Sequence, residues 1–518
     1  MDAKSLLPFF SAAGVAIIGA SSKPNKLSYG IVKNLTLYGY KGGIYPVNPG
    51  SEEILGQKCY PSIAAVPDPV DLAVIVLPAG QILQVIEDCA ARGIRAVTVI
   101  SGGFKELGKE GESLEKQVLA LVKTRGMRMI GPNCVGTMSL HSGLNTTFIS
   151  GIPDLGGIGF LSQSGAVLGG VVDLVKGKGI GFAHFLSLGN EADVTETDVI
   201  DYLGADEHTR VIAAYVEQIR DGQAFIKAAR QVTRRKPIVL LKAGRSEEGA
   251  RAVSSHTGSL AGSHAAYQAA FKQSGVIEVD KMGELFEVAQ ALALQSLPKG
   301  NRVAILTNSG GPAALTSDSL AVNGLRMADL SEATKVELRK FLNPSAQVGN
   351  PVDMLGGAEP QEYEAAMRLV AADPNVDIIV PILVPQALVN PVEVAEKIAA
   401  VAAEQAKTVI ACFVGDALVA EPRRTLHAGK VPMVVYPENV GTVLGAMLTY
   451  ADWLAKPLEE APAAAQADKQ IVEQVLAGAS KADGLGEAQT RPLLAAYGIP
   501  LVAGAQAASP VEAAAAAE

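Results

Sequence analysis

One histidine of this chain lies among residues that suit group transfer. His256 belongs to residues 254–262, a run of small, hydroxyl-bearing and glycine residues that includes Thr257. Small residues let a backbone approach a ligand closely, and glycines such as Gly258 adopt dihedral angles that other residues avoid. The run predicts a loop that ends where a helix begins at Ser263. Such a loop can move an imidazole between two places. A surface turn with a solvated histidine is the alternative.

Two serine- and glycine-rich turns each follow a short apolar strand and precede a helix. The predicted strands cover residues 158–161 and 303–307. The N–H groups and the dipole of a helix N-terminus attract anions, so each turn predicts a phosphate site. A purely structural turn is the alternative for either one alone. The predicted phosphate-binding residues are Ser162, Gln163, Ser164 and Gly165 in the first turn, and Asn308, Ser309, Gly310 and Gly311 in the second.

Strands and helices alternate from residue 14 to about residue 140. Continuous apolar strands that alternate with helices form a parallel sheet covered on both faces, and ligands bind beyond the carboxyl ends of its strands. The predicted strands are 15–18, 43–47, 72–77, 96–100 and 127–130, and the predicted helices are 28–38, 81–92 and 112–125. The predicted cofactor-binding residues at the strand ends and in the loops behind them are Gly19, Ala20, Ser21, Ser22, Lys26, Asn48, Pro49, Leu77, Pro78, Gly102, Gly103, Phe104 and Asn133.

The ligand expected at this sheet edge is nucleotide-like, but it is not NAD. No GxGxxG follows the first strand, and the second strand ends in Asn48 rather than in the acid that would hold a ribose. A hydride-transfer enzyme is therefore the weakest of the alternative functions.

Residues from about 300 to 455 repeat the design of residues 150–295. The sequence GNPVD at 349–353 echoes GNEAD at 189–193, and the segments that follow match in type. This duplication predicts two similar domains. An Ala-, Pro- and Glu-rich stretch at 455–468 then predicts a linker. Beyond it we expect helices at 471–477 and 485–497, a strand at 500–502 and a helix start at Ser509, in a domain that is cut short.

Composition and charge exclude several classes of protein. The formal net charge of −9 argues against a nucleic-acid partner. No uncharged apolar stretch is long enough to span a bilayer, which predicts a protein without membrane contact, in the cytoplasm. No metal site is predicted, because neither the cysteines nor the remaining histidines have ligand-like spacing. These residues are Cys59, Cys89, Cys134, Cys412, His141, His184, His208, His264 and His427.

Taken together, the motifs resemble those of the NDP-forming acyl-CoA synthetases, which include ADP-forming acetate–CoA ligases and are relatives of succinyl-CoA synthetase. The matching stretches occur in the order of that family and cover essentially the whole chain. They are VAIIGAS at 15–21, YPVNP at 45–49, SGGF at 101–104, GPNC at 131–134, SQSG at 162–165, SHTG at 255–258 and NSGGP at 308–312.

The resemblance implies an α/β chain in four parts. These are a Rossmann-like CoA-binding domain at 1–145, a flavodoxin-like ligase domain with the phosphohistidine loop at 146–297, a second flavodoxin-like ligase domain at 298–456, and a linker with the incomplete edge of an ATP-grasp domain at 457–518. Because ATP-grasp holds the nucleotide and its Mg²⁺, most of the ADP or ATP site is expected outside this chain. A separate ATP-grasp polypeptide or a missing region would supply it, in a homo- or hetero-oligomer.

The implied activity is that of an acid–thiol ligase, which interconverts acyl-CoA, ADP and phosphate with carboxylate, CoA and ATP. An acyl phosphate would pass its phosphoryl group to His256, and phospho-His256 would carry it to ADP. Neutral imidazole is nucleophilic near pH 7, which suits this role. Glu217, at the end of the predicted strand 211–216, is expected to orient the imidazole, with an ordinary exposed carboxylate as the alternative.

Two alternatives apply to the whole chain. One is a catalytically incomplete CoA or acyl-CoA sensor, and the other is the synthetase-like part of a protein acyltransferase. The sequence leaves open the acyl group and the choice between ATP and GTP.

Overall fold

The structure is a computed structural model that describes residues 3–257, 263–457, 467–479, 484–504 and 507–517. These residues fall into two compact units, Met1–Leu454 and Ala455–Glu518. The larger unit contains three mainly parallel sheets with helices between the strands, as predicted for an α/β chain. Within the described ranges, no helix combines the length and the apolar character needed to cross a bilayer.

The first sheet is parallel, in the order β2-β1-β5-β6-β7. A parallel bridge between Val47 and Tyr60 places the segment at Tyr60 next to β2, on the outer side of the sheet. With this segment counted as the third, the spatial order corresponds to the 3-2-1-4-5-6 order of a Rossmann fold. The central strands are fully buried because helices cover both faces. The elements are α1 (Pro8–Ser11), β1 (Gly14–Ile18), α2 (Leu27–Leu37), β2 (Gly43–Val47), β3 (Glu53–Ile54), β4 (Gln57–Lys58), β5 (Leu72–Ile75), α3 (Ile82–Ala91), β6 (Ala96–Val99), α4 (Lys109–Thr124) and β7 (Arg128–Ile130).

The second sheet has the order β14-β13-β12-β10-β11-β8-β9. Its five parallel strands have the 2-1-3-4-5 order of flavodoxin-like folds. The antiparallel strands β8 and β9 extend it, so residues that directly follow the first sheet complete the second. The elements are β8 (Thr137–Ser139), β9 (Leu144–Asn145), β10 (Asp154–Ser162), α5 (Gly165–Val175), β11 (Gly181–Ser187), α6 (Glu196–Ala205), β12 (Val211–Val216), α7 (Gly222–Thr233), β13 (Ile238–Lys242), α8 (Glu247–Thr257), α9 (His264–Ser274), β14 (Ile277–Val279) and α10 (Met282–Leu294).

The third sheet repeats the flavodoxin-like order as β16-β15-β18-β20-β21. One hydrophobic cluster joins it to the second sheet, with Phe160 and Phe286 from one side and Ile305 and Leu444 from the other. The elements are β15 (Arg302–Thr307), α11 (Gly310–Val322), β16 (Arg326–Met327), α12 (Glu332–Arg339), β17 (Val352–Asp353), α13 (Pro360–Ala372), β18 (Ile378–Leu383), α14 (Pro391–Ala403), β19 (Thr408–Val409), β20 (Ala411–Phe413), α15 (Ala420–Ala428), β21 (Met433–Val434) and α16 (Pro437–Ala455).

The smaller unit contains the helices α17 (Lys469–Ala477), α18 (Glu487–Ala496) and α19 (Pro510–Ala517). Helix α17 packs against α18, and none of the three helices has a buried residue. The strand predicted at 500–502 is wrong, because this stretch pairs with no other strand among the described residues. Most of the predicted linker, 458–466, lies outside the described residues.

Candidate active site

A cavity of about 750 Å³, here called the first-sheet cavity, opens at the carboxyl ends of β1, β2 and β5. Asn48 ties two of these ends together, because its Nδ2 donates a hydrogen bond of 2.7 Å to the carbonyl of Ala20. Gly19 has a φ of +85°, and a Cβ there would lie 2.4 Å from the Val76 carbonyl oxygen, so only glycine fits. The predicted residues that line the cavity are Gly19, Ala20, Ser21, Lys26, Asn48, Pro49 and Leu77. Ser22 and Pro78 are not among its lining residues.

A second cavity of about 580 Å³, the junction cavity, lies where the first and second sheets meet. Leu27, at the start of α2, lines both cavities. The predicted residues that the structure brings together here are Gly102 and Asn133 from the first sheet and Gln163, Ser164, Gly165 and Glu217 from the second. Phe104, by contrast, is fully buried in the core of the first domain, and Gly103 does not line the cavity.

The turn before α5 presents a helix N-terminus to the junction cavity. The Ser162 hydroxyl donates to the carbonyl of Ser164 at 2.7 Å and accepts its N–H at 3.1 Å. The Ser164 hydroxyl caps α5 by accepting the N–H of Val167 at 3.3 Å. Gly165 and Ala166 line the cavity in the first turn, where N–H groups have no acceptor within the helix. This arrangement suits an anion.

Gln163 connects this turn to two acids. Its Oε1 accepts the N–H of Glu217 at 2.5 Å and of Gln218 at 2.9 Å, while its Nε2 donates to Glu191 Oε2 at 2.9 Å. Glu217 is only 9% exposed, so the alternative of an exposed strand-end carboxylate is wrong. Glu217 instead is among the residues that line the junction cavity, as are Gln163 and Ser164 of the turn.

A cluster of charged residues at the same cavity was missed in the sequence. Lys105 Nζ and Arg220 Nη2 both donate to the carbonyl of Asn190, at 2.5 and 2.7 Å. Burial lowers the pKa of the Lys105 ammonium, and the nearby Arg220 lowers it further. Burial and the adjacent Glu196 raise the pKa of Glu191 well above its usual range. The short turn at residues 189–191 can be recognised in the sequence, but only the fold shows that Lys105 lies beside it.

His256 lies in α8, so the loop predicted for residues 254–262 is wrong up to Thr257, where the helix ends. Helix-forming residues such as Ala250 and Arg251 explain why the helix continues into this run. Side chains of residues 254–257, and residues 258–262 altogether, lie outside what the structure describes. Helix α8 packs against the turn Lys105–Leu107, which supplies Lys105 to the junction cavity. The helix that carries His256 therefore contacts one of the segments that line this cavity.

The second serine–glycine turn repeats part of the hydrogen bonding of the first, although the Ser309 side chain does not cap α11. The Thr307 hydroxyl donates to the carbonyl of Ser309 at 2.8 Å and accepts its N–H at 3.0 Å. Asn308 exchanges two hydrogen bonds of 2.9 Å with the backbone of Val384, as Gln163 does with Gln218. Asn308, Ser309, Gly310 and Gly311 do not line the junction cavity, so the structure does not bring the two turns together there.

Three family models match the larger unit. They are a CoA binding domain at residues 14–139, a succinyl-CoA ligase like flavodoxin domain at 155–292 and a ligase-CoA domain at 303–456. The alpha subunit of the ADP-forming acetate–CoA ligase II of Pyrococcus furiosus is 44% identical over 447 residues, which are 86% of this chain and 97% of that subunit. The chain belongs to the ADP-forming acetate–CoA ligase family. The predicted family, ligase class and fold are thereby confirmed.

Another ADP-forming ligase and an acetyl-coenzyme A synthetase are similar over most of the chain. The 4-hydroxybutyrate–CoA ligase of Nitrosopumilus maritimus is 36% identical over 501 residues, 95% of this chain and 71% of that protein. The acetyl-coenzyme A synthetase 1 of Ca. Korarchaeum cryptofilum, solved with phosphate and ADP, matches with a TM-score of 0.83 at 36% identity, covering 88% of this chain and 99% of that one. The acyl groups in these names differ, so family membership does not fix the acyl substrate.

Proposed function

We propose that this ADP-forming ligase chain makes an acyl phosphate from acyl-CoA and phosphate, and that His256 then carries the phosphoryl group to ADP. Phosphate displaces CoA from the acyl carbon. An imidazole nitrogen of His256 next attacks phosphorus, and the carboxylate leaves. ADP takes the phosphoryl group and becomes ATP. The observation that supports this route is the junction cavity, where a helix N-terminus, Glu217 and Lys105 converge beside the helix of His256.

The first turn of α5 is our candidate for the site that holds the phosphoryl group. Phosphoryl transfer depends on positioning and on stabilisation of charge more than on covalent machinery. The N–H groups at Gly165 and Ala166 are fixed in place by the bonds of the serine turn, so they can stabilise phosphoryl oxygens without reorganising. Lys105 lines the same cavity, and Arg220 donates to the carbonyl of Asn190, which also lines it, so both residues add positive charge nearby.

Glu217 is our candidate for the residue that orients the imidazole. An imidazole that attacks through one nitrogen keeps a hydrogen on the other, and a carboxylate that accepts this N–H fixes the tautomer. Glu217 suits the role because it is buried and because Gln163 anchors its backbone N–H.

We place CoA across the two cavities. Its nucleotide end would occupy the first-sheet cavity, among the backbone groups at Gly19 to Ser21, and its thioester would reach the junction cavity. Leu27 supports this path, because it lines both cavities and so marks where they adjoin.

We assign ADP or ATP, together with Mg²⁺, to an ATP-grasp domain that a separate subunit would supply. The Pyrococcus furiosus relative that this chain nearly covers is named an alpha subunit, which supports a second subunit. The catalytic cycle would then require His256 to meet two sites, one in this chain and one in the partner.

The experiment that tests the proposal is incubation of the protein with phosphate and a panel of acyl-CoAs, followed by intact-mass analysis. We expect an acid-labile phosphoryl adduct on the wild type and none on His256→Ala, and the most effective acyl-CoA would identify the substrate. The variant His264→Ala is the matched control and should keep the adduct. Absence of an adduct despite measurable CoA binding, both here and with ATP plus an ATP-grasp subunit, would contradict the proposal.

A further inference from the structure

A third cavity, of about 680 Å³, lies between the C-terminal end of α5, one side of α10 and the carboxyl ends of β20 and β21. We call it the α5–α10 cavity. It shares no lining residue with the junction cavity. Most of its wall is apolar and is formed by Leu174, Val175, Ile180, Phe286, Val414, Met433, Val435 and Tyr436. An apolar cavity with few polar groups is the usual form of a small-molecule site.

Arg423, on α15, is the charged group that this cavity encloses. The residue is only 7% exposed. Its ion-pair contact within the described part of the chain is with Asp416 Oδ1, at 3.8 Å, and the Asp416 side chain is 94% exposed. No hydrogen bond joins the guanidinium to another described residue. A buried charge requires a partner, and the five N–H donors of a guanidinium match a carboxylate with two parallel hydrogen bonds.

The other titratable groups of the cavity restrict the charge of a ligand. Glu287, on α10, accepts a hydrogen bond of 2.9 Å from Asn439, and burial raises its pKa to about 7. Burial lowers the pKa of His427 to about 4, so its ring is neutral near pH 7. Lys178, Asp416 and the Tyr436 phenol are the remaining titratable groups of its lining. A dianion such as phosphate would meet the partly ionised Glu287, whereas a monoanion pairs with Arg423 at lower cost.

We propose that the α5–α10 cavity binds a monocarboxylate with an apolar tail, with the carboxylate on Arg423 and the tail between Phe286 and Met433. The reason is the combination of a largely buried guanidinium, which has no hydrogen-bond acceptor among the described residues, with a wall that is mostly apolar. This site is separate from the reaction site described above. Its ligand class matches the carboxylate of the proposed reaction, and the cavity borders α5, whose first turn lies at the junction cavity.

The neighbouring residues provide matched variants. Arg424 follows Arg423 on α15 but does not line the α5–α10 cavity. Gly283 does line it, and a Cβ at Gly283 would meet no atom within 4 Å. A side chain at position 283 would therefore start in open space at the wall of the cavity, so we expect a large one to narrow the cavity without displacing the backbone. Gly283→Phe blocks the site by a route that does not remove a buried charge.

The experiment is titration of the full chain with sodium benzoate by calorimetry, with saturation-transfer NMR for weak binding. We expect Arg423→Gln to weaken binding at least about tenfold, as loss of a charge-assisted bidentate contact does. Gly283→Phe should abolish binding at this site, and Arg424→Gln should leave it unchanged. Circular dichroism checks that each variant is folded. If Arg423→Gln does not fold, Gly283→Phe alone tests the proposal.

Three results would overturn the proposal. The first is benzoate binding that neither Arg423→Gln nor Gly283→Phe alters, which would place benzoate elsewhere, such as in the junction cavity. The second is no benzoate binding at all. The third is binding of inorganic phosphate that depends on Arg423 where benzoate fails. None of these results bears on the phosphohistidine route, since benzoate binding is measured without CoA or nucleotide.

Discussion

At the scale of single residues, both polar atoms of the Gln163 side chain form two hydrogen bonds each at the junction cavity. Its Oε1 accepts two backbone N–H groups, and its Nε2 donates to the Gln218 carbonyl at 2.8 Å and to Glu191. The amide offers two donors and an acceptor in one side chain, whereas a carboxylate here would face Glu191 directly. Because its polar atoms are occupied, we expect Gln163 to position the turn rather than to contact phosphate.

Glu287 and His427 should give the stability of the protein opposite pH dependences. Folded Glu287, with its pKa raised from 4.5 to about 7, keeps a proton that the unfolded chain releases. Its contribution to stability therefore falls as the pH rises from about 4.5 to 7. Folded His427, with its pKa lowered from 6.5 to about 4, stays neutral where the unfolded chain is protonated. Its contribution therefore falls as the pH drops from about 6.5 to 4.

Urea unfolding of Glu287→Gln, His427→Gln and wild type between pH 4 and 8 tests these signs. Relative to wild type, Glu287→Gln should become more stable as the pH rises to 7, by at most about 3 kcal/mol. His427→Gln should gain by a similar amount as the pH falls to 4. A difference from wild type that does not change with pH would show that these groups are not shifted.

At the scale of elements, the first turn of α5 should combine a structural and a chemical role. Ser164→Ala removes an N-cap and should lower stability by about 1 kcal/mol. It should also slow formation of phospho-His256 at least about tenfold, because the turn that would hold phosphate loses its fixed geometry. Ser331→Ala, at the N-cap of α12, is the control, since its hydroxyl also accepts an N–H at 3.3 Å but lies outside the junction cavity.

Melting curves and a phosphohistidine time course separate the two roles. Equal losses of stability with slow phosphorylation only in Ser164→Ala would support the assignment. If His256 becomes phosphorylated slowly in both variants, or in neither, the turn before α5 has no special part in phosphoryl transfer.

The elements themselves could largely be predicted from the sequence, because buried parallel strands are continuous apolar runs. The predicted strands 43–47 and 211–216 coincide with β2 and β12. Helix α8 was missed because serine, histidine and threonine are typical of loops when taken locally, whereas the Ala- and Glu-rich turns before them extend the helix. Residues 137–145 were assigned to the first domain by their position in the chain, yet β8 and β9 pair in the second sheet.

The chemistry of the site was predictable only where a motif lies within one turn. The residues from Ser162 to Gly165 are contiguous, and so are those at the ends of β1 and β2. Lys105 and Arg220 meet Asn190 from positions 85 and 30 residues away, so only the packing of two sheets reveals the cluster. The enclosed Arg423 has no sequence signal, because an arginine on an amphipathic helix ordinarily faces solvent.

At the scale of the whole molecule, the hydrophobic interior lies in the larger unit. Its four buried clusters are built from residues between Leu6 and Tyr450. Trp453 fixes the end of α16 to the C-terminal end of α7. Its indole N–H donates to the Thr233 hydroxyl at 3.1 Å, and its ring lies 4.4 Å from the Arg234 guanidinium. The sequence contains one tryptophan, so its fluorescence reports on this contact.

A chain that ends after residue 457 should therefore fold as the full chain does. Helices α17, α18 and α19 contribute no buried residue, so we expect the thermal midpoint followed by Trp453 fluorescence to change by less than about 2 °C. The shortened chain should also keep CoA binding and the phosphorylation of His256 from acyl-CoA and phosphate, because both cavities lie before residue 220. A midpoint lowered by more than about 5 °C would show that residues 458–518 belong to the same cooperative unit. Loss of phosphorylation at an unchanged midpoint would instead place part of the reaction site in the smaller unit.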